Sequence, residues 1–231
     1  GSPDQGNNIS GGQYVAWNWK ANGAGSTNTA GQITSIVSAN TTSGFSVVTF
    51  TTDGTTKTVG HGLGVKPSLV IVKGRNSVGS WIAMTDIING SMQFSTLNST
   101  VAFSSIAYSA PTSTVFQYND NNGNTQVAYC FAPIAGYSSI GTYLGNGSST
   151  EGTFIYTGMR PAFVLIKRTD TTDQWNIYDS KRNPSNLTNK IVYPNLSNAE
   201  DAGTDGIDML SNGIKMRNTY SNLNASGGTY I

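Results

Sequence analysis

The one histidine of the chain, His61, lies in Val59-Gly60-His61-Gly62-Leu63-Gly64, and a histidine within glycines suggests general-base or metal-ligand chemistry. A catalytic triad would also need a nucleophile and an orienting acid, and no spacing along the chain marks either. A zinc site without His61 would have only Cys130, the single cysteine, and carboxylates to draw on. Gly60-x-Gly62-x-Gly64 resembles a phosphate loop in its glycines alone. Such a loop must open a helix whose N-terminus faces the phosphate, whereas Pro67 and an apolar strand-like run follow here. The segment is therefore read as a turn, with His61 bridging it by a hydrogen bond.

The acidic residues Glu200, Asp201, Asp205 and Asp208, spaced by Gly203 and Gly206, form a candidate calcium loop, because calcium takes oxygen ligands and glycines allow a tight turn. The spacing matches no established calcium motif, and the competing reading is a solvated acidic loop. Glycosidase chemistry needs two carboxylates on opposite sides of a sugar, and nothing selects a pair from the 12 acids. Trp81 and Trp175 are the candidate glycan contacts, since indole faces stack on sugars. Their recurrence at one position of a repeat, described below, favours packing. No cofactor is expected.

The elements that would position these residues are short. Charged residues are 11% of 231, against about 25% in ordinary soluble domains, and Gly, Ser, Thr and Asn fill the difference. The net charge of +1 and the absence of any Lys/Arg cluster argue against nucleic acid. No apolar run reaches the length of a membrane span, so no membrane insertion is expected, and Gly1-Ser2-Pro3 reads as an expression scar rather than a signal peptide. Alternating or continuous apolar runs bounded by turn residues predict strands over 14–19, 46–51, 69–73, 81–84, 114–118 and 126–131. A second set covers 141–144, 153–156, 163–167, 175–179, 190–193 and 214–216. Leu69-Val70-Ile71-Val72 and Phe163-Val164-Leu165-Ile166 are continuous, as in strands covered on both faces. Asp53-Gly54 and Asn146-Gly147 predict turns. Residues 21–40 read as an exposed arm or linker, with Ile33, Ile36 and Val37 able to form a helical turn or an edge strand.

The two sets are one repeat. Lys66, Pro67, Lys73 and Trp81 fall on Arg160, Pro161, Lys167 and Trp175 at a constant spacing of 94 residues, and His61 falls on Thr157. Lys73 and Lys167, each closing an apolar strand, are expected to carry their charge to solvent. Gln126-Val127-Ala128-Tyr129-Cys130-Phe131 resembles Tyr14-Val15-Ala16-Trp17-Asn18-Trp19, and Gly11-Gly12-Gln13-Tyr14-Val15 resembles Gly227-Gly228-Thr229-Tyr230-Ile231. The predicted fold is all-β, two tandem β-sandwich-like units with Gly/Asn/Ser/Thr-rich loops. Residues 1–43 are an N-terminal strand, ending a preceding unit, and a linker; residues 44–135 form the first unit and 136–231 the second. The second unit stops as its last strand begins. Either an array has been cut mid-strand, or the N-terminal strand completes the second unit, within one chain or between chains.

Val59-Gly60-His61-Gly62-Leu63-Gly64-Val65-Lys66-Pro67 with Leu69-Val70-Ile71-Val72-Lys73 resembles a segment of bacteriophage tail-fibre and related virion proteins. Tyr14 to Lys20 with Ala21-Asn22-Gly23, and Arg160-Pro161-Ala162-Phe163-Val164 with Lys167-Arg168, are similar to an uncharacterised repeat domain of phage tail-associated proteins. The resemblance covers nearly the whole chain. It implies a virion location, partnership with other virion proteins or copies of the same chain in a homo-oligomer, and contact with a host-surface glycan; it supplies no catalytic motif. The expected role is a non-enzymatic structural module. The alternatives are an adhesin that binds carbohydrate through loop aromatics and, behind it, a polysaccharide hydrolase.

Overall fold

The computed structural model describes residues 10–231, without the side chains of Thr204 and Asp205. Gly1-Ser2-Pro3 lies outside the described residues. These contain strands, turns and loops and no helix. The fold is all-β and sandwich-like, as the alternation predicts.

Among the described residues the first half holds ten strands: β1 (Ser26–Asn28), β2 (Ser35–Asn40), β3 (Phe45–Thr51), β4 (Lys57–Gly60), β5 (Leu69–Gly74), β6 (Ile82–Thr85), β7 (Gln93–Thr96), β8 (Ser104–Ser105), β9 (Val115–Tyr118) and β10 (Thr125–Phe131). Eight form an antiparallel sheet in the order β1-β2-β3-β10-β5-β6-β7-β8, and β4 pairs with β9 in a second layer. Alternation sets the layers. Along β10 every second residue (Gln126, Ala128, Cys130) is buried, and Ala128 and Cys130 share one core with Val48, Phe50 and Val70 of the large sheet and Val59 and Phe116 of the β4–β9 pair. The other face of β5 carries Leu69 and Ile71 into a separate cluster. Two covered faces account for the unbroken apolar run of this strand.

The second half repeats the plan with β11 (Tyr143–Leu144), β12 (Phe154–Tyr156), β13 (Phe163–Lys167), β14 (Trp175–Asp179), β15 (Thr188–Ile191), β16 (Asp201–Leu210), β17 (Gly213–Met216) and β18 (Thr229–Tyr230). β12 pairs with β17 as β4 does with β9, and β13 with β14 as β5 does with β6. β18 stands where β10 stands: Tyr230 pairs with Tyr143 on one side and Arg168 on the other, as Gln126 pairs with Phe50 and Gly74. The second core gathers Ile166, Tyr178, Ile207, Met216, Leu223 and Tyr230.

A third cluster joins the halves, with Ile71, Ala83 and Phe103 from the first and Trp175, Leu165 and Ile231 from the second. Hydrogen bonds reinforce it: Phe103 N donates to Thr169 O at 3.1 Å and Asp173 N to Thr100 O at 2.8 Å.

Three parts of the chain differ from the sequence reading. Residues 21–40 are not an exposed arm: β1 forms the edge of the large sheet and β2 lies between β1 and β3, paired to β3 over Ile36 to Asn40, so at Ile36 and Val37 the strand alternative holds and the helical turn does not. The expected boundary before residue 44 therefore falls inside a hairpin. Tyr14 to Trp19 forms no strand and runs across the junction of the halves, where Trp19 packs on Phe45, Phe131 and Phe163. The acidic stretch is strand β16, not a loop. Asp53-Gly54 and Asn146-Gly147 are turns with φ of 84° and 67° at their glycines, but they lead from one layer to the other rather than closing hairpins.

Candidate functional site

Trp81 enters β6 from the loop that follows β5, and its backbone is held at both ends by one neighbouring turn. Its N–H donates to Asn98 Oδ1 at 2.9 Å, and its carbonyl accepts from Leu97 N at 2.8 Å. The indole stacks on Tyr129 of β10 with centroids 6.2 Å apart and planes 20° from parallel, while 37% of the residue stays exposed. Trp81, Leu97, Asn98 and Pro194 line a shallow hollow of about 240 Å³. An indole fixed by a second ring, beside an amide whose Nδ2 remains to donate, can stack on one sugar ring and bond one hydroxyl. The alternation of β6 gave Trp81; Tyr129, Asn98 and Pro194 come from distant segments, and no spacing signals their meeting.

Trp175 occupies the same repeat position and has the opposite fate. Its N–H donates to Asn195 Oδ1 at 3.0 Å, reproducing the Trp81–Asn98 bond. Its ring, however, is only 2% exposed, donates from Nε1 to Thr96 O at 3.0 Å, and packs on Phe103 of the first half. Trp175 is thus withdrawn as a glycan contact by its place in the junction.

The acidic candidates form no common centre. Asp208 is buried and accepts from Arg217 Nε at 2.6 Å, Asp201 accepts from Tyr193 OH at 3.3 Å, and Glu200 pairs with Arg182 and Lys190. The side chain of Asp205 lies outside those described. Among the described residues no group of three or more His, Cys, Asp or Glu is placed to hold a metal.

His61 is fully buried and fixes the turn. Its Nδ1 accepts from Leu63 N at 3.2 Å, which leaves Nε2 protonated and facing Thr112 O at 3.2 Å. Burial lowers its pKa against the effect of the Thr112 hydrogen bond. Thr157, at the matching position, spans its turn in the opposite sense: its hydroxyl donates to Met159 O at 2.7 Å. Gly62 and Gly64, with φ of 71° and 72°, supply left-handed turns; a Cβ at Gly62 would lie 2.8 Å from a Val37 methyl.

The two lysines divide. Lys73 is half-buried at its strand end, with Nζ donating to Gly74 O. Lys167, expected to reach solvent, is instead fully buried, with Nζ donating to Arg168 O at 2.8 Å and Thr100 O at 3.3 Å. Docking of the halves encloses it, and burial brings its pKa down to about 8. Trp17 was also missed as a contact residue: its Nε1 donates to Asp179 Oδ2 at 3.1 Å, and the Arg182 guanidinium lies 5.7 Å from its ring centroid.

These features define an all-β protein of two packed, repeated sandwich units with an open aromatic platform at Trp81. The chain belongs to the family described as Domain of unknown function (DUF7483), whose profile matches residues 1–231. No curated protein and no solved structure matches the chain. No helix among the described residues is long and apolar enough to cross a membrane.

Proposed function

We propose that the chain is a non-enzymatic structural module of a bacteriophage virion, a unit of a tail fibre that works with other virion proteins or with copies of itself. The observation that carries this reading is the junction. Trp175, Phe103 and Leu165 share one core there, and backbone hydrogen bonds cross it, so the two units carry load as one body. A low-charge, turn-rich β surface suits a part that packs among similar subunits. Antibodies raised against the chain should decorate the fibres of the phage that encodes it in electron micrographs; labelling confined to lysed cells, with none on particles, would refute the proposal.

A second reading, host-surface carbohydrate binding, is favoured by Trp81 alone, because its ring is both exposed and held rigid by Tyr129. Saturable binding to host cells or a glycan array that is lost in Trp81→Ala, with the fold unchanged, would support it. Binding unaffected by that substitution, or none by a folded sample, would leave the spacer role.

A further inference from the structure

In the first half the outer edge of β4 is covered. Ile33 N donates to Thr58 O at 3.0 Å, Ser35 Oγ donates to Gly60 O at 2.9 Å, and Ile33 bridges Val59, so the turn between β1 and β2 lies along the strand. That cover comes from the stretch that leads into β3. The corresponding stretch of the second half, residues 132–142 between β10 and β11, is internal to the chain and holds no strand. Among the described residues β12, the counterpart of β4, pairs with β17 alone.

The open edge presents the main chain of two residues. Thr153 O accepts from Met216 N at 2.9 Å and Thr157 N donates to Asn212 O at 3.0 Å, so these alternate positions face β17. Alternation then turns the N–H and C=O groups of Phe154 and Tyr156 outward. The side chains have changed along with the cover. By the match of His61 with Thr157, the covered strand reads Lys57-Thr58-Val59-Gly60 where the open one reads Thr153-Phe154-Ile155-Tyr156. Ile155 joins the second core, which leaves both rings on the opposite face, Phe154 45% and Tyr156 70% exposed. No charge, proline or bulge blunts this edge from Thr153 to Thr157.

Such a strand is complementary to itself. Laid antiparallel to a second copy with Ile155 opposite Ile155, Phe154 of each chain falls opposite Tyr156 of the other. Both residues face outward, so each pair exchanges both of its N–H···O bonds; a register one residue out would oppose outward-facing groups to inward-facing ones. The rings of each pair then lie side by side across the seam. The same register sets the Glu151 end of each strand against the Arg160 end of the other. Arg160 is exposed and in no ion pair among the described residues, while Glu151 is held only by Lys215, at 3.4 Å.

We infer that the outer edge of β12 is a homodimer interface, occupied by β12 of a second copy about a twofold axis through Ile155. The two four-stranded sheets become one of eight strands, and the contact is closed, so it makes a pair and not a filament. It holds whether or not the chain belongs to a virion.

Light scattering on the full chain over a concentration series tests this. The mass should double from the monomer value and then level off. Tyr156→Pro deletes an outward N–H that the chain does not use internally, and Phe154→Lys/Tyr156→Lys sets like charges directly opposite each other with the main chain intact. Both variants should stay monomeric with the far-ultraviolet circular dichroism of the wild type; if the proline variant fails to fold, the lysine variant decides. Register is tested by mixing Phe154→Cys and Tyr156→Cys chains under mild oxidation. The mixture should form an interchain disulfide across α-carbons about 5.5 Å apart, which neither variant forms alone, its counterparts lying about 7–8 Å apart. Cys130 is fully buried and does not compete. A wild-type chain monomeric throughout, a mass that climbs past the dimer, self-association unchanged by the lysines, or a dimer whose cysteine mixture does not cross-link would each overturn the assignment.

Discussion

The indole of Trp175 donates to the carbonyl of Thr96 at 3.0 Å, so a residue of the second unit completes the packing of the first. Trp81, at the equivalent position, makes no such crossing and remains 37% exposed. Replacing each by Ala separates the two roles. Trp175→Ala should cost about 3–5 kcal/mol and broaden or split the urea transition as the units uncouple, whereas Trp81→Ala should cost about 1–2 kcal/mol with one transition retained. Equal losses would mean that Trp175 does not couple the two units.

Lys167 predicts an unusual alkaline response. Its pKa is depressed from 10.5 to about 8 by burial, so between those values the unfolded chain holds more protons than the folded one. Stability should therefore rise from pH about 8 to about 10, by an amount on the order of 3 kcal/mol at the upper limit of the window, before tyrosine ionisation intervenes. Lys167→Met should remove the rise and be more stable than wild type at pH 7. Denaturant midpoints measured across the window check both statements.

His61 gives an effect of the same origin at lower pH. Burial lowers its folded pKa below the ordinary 6.5, so as pH falls through that value the unfolded chain takes up the proton first and stability declines. His61→Thr, the residue of the second repeat, should flatten that part of the profile. Nitrogen chemical shifts of the ring should report the Nε2–H tautomer at neutral pH.

Cys130 should be silent. It is fully buried in the first core, and burial raises its pKa to about 12, so little thiolate forms. A thiol reagent at neutral pH should react only in denaturant, or at a rate that tracks global opening. Rapid reaction in the native state would place the β10 core outside its described packing.

Much of this was legible in the sequence because it is a matter of period. The run from Leu69 to Val72 declared a strand covered on both faces, and the matched Trp81 and Trp175 declared the repeat. What the sequence leaves undetermined is which surface meets which. Tyr14 to Trp19 alternates as well as β10 does, yet alternation states only that a strand could form, and pairing requires an available edge. Gln93–Thr96 and Asp201–Leu210 are strands with too few apolar residues to announce themselves, since neighbouring strands rather than propensity hold them. Lys167 and Lys73 are one residue type in one motif; only the docking of the halves decides that the first is enclosed. The candidate site shows the same limit, because Asn98 and Pro194 reach Trp81 from different units.

Thr96, Thr100, Phe103 and Thr169 join the halves through main-chain groups: carbonyls that receive Trp175, Lys167 and Asp173, and the Phe103 N–H that meets the Thr169 carbonyl. Any residue can present such a carbonyl, and any but proline such an N–H. These four positions are therefore free to drift in side-chain identity while the joint keeps its geometry, provided that the Trp175 and Lys167 side chains that reach their carbonyls stay in place.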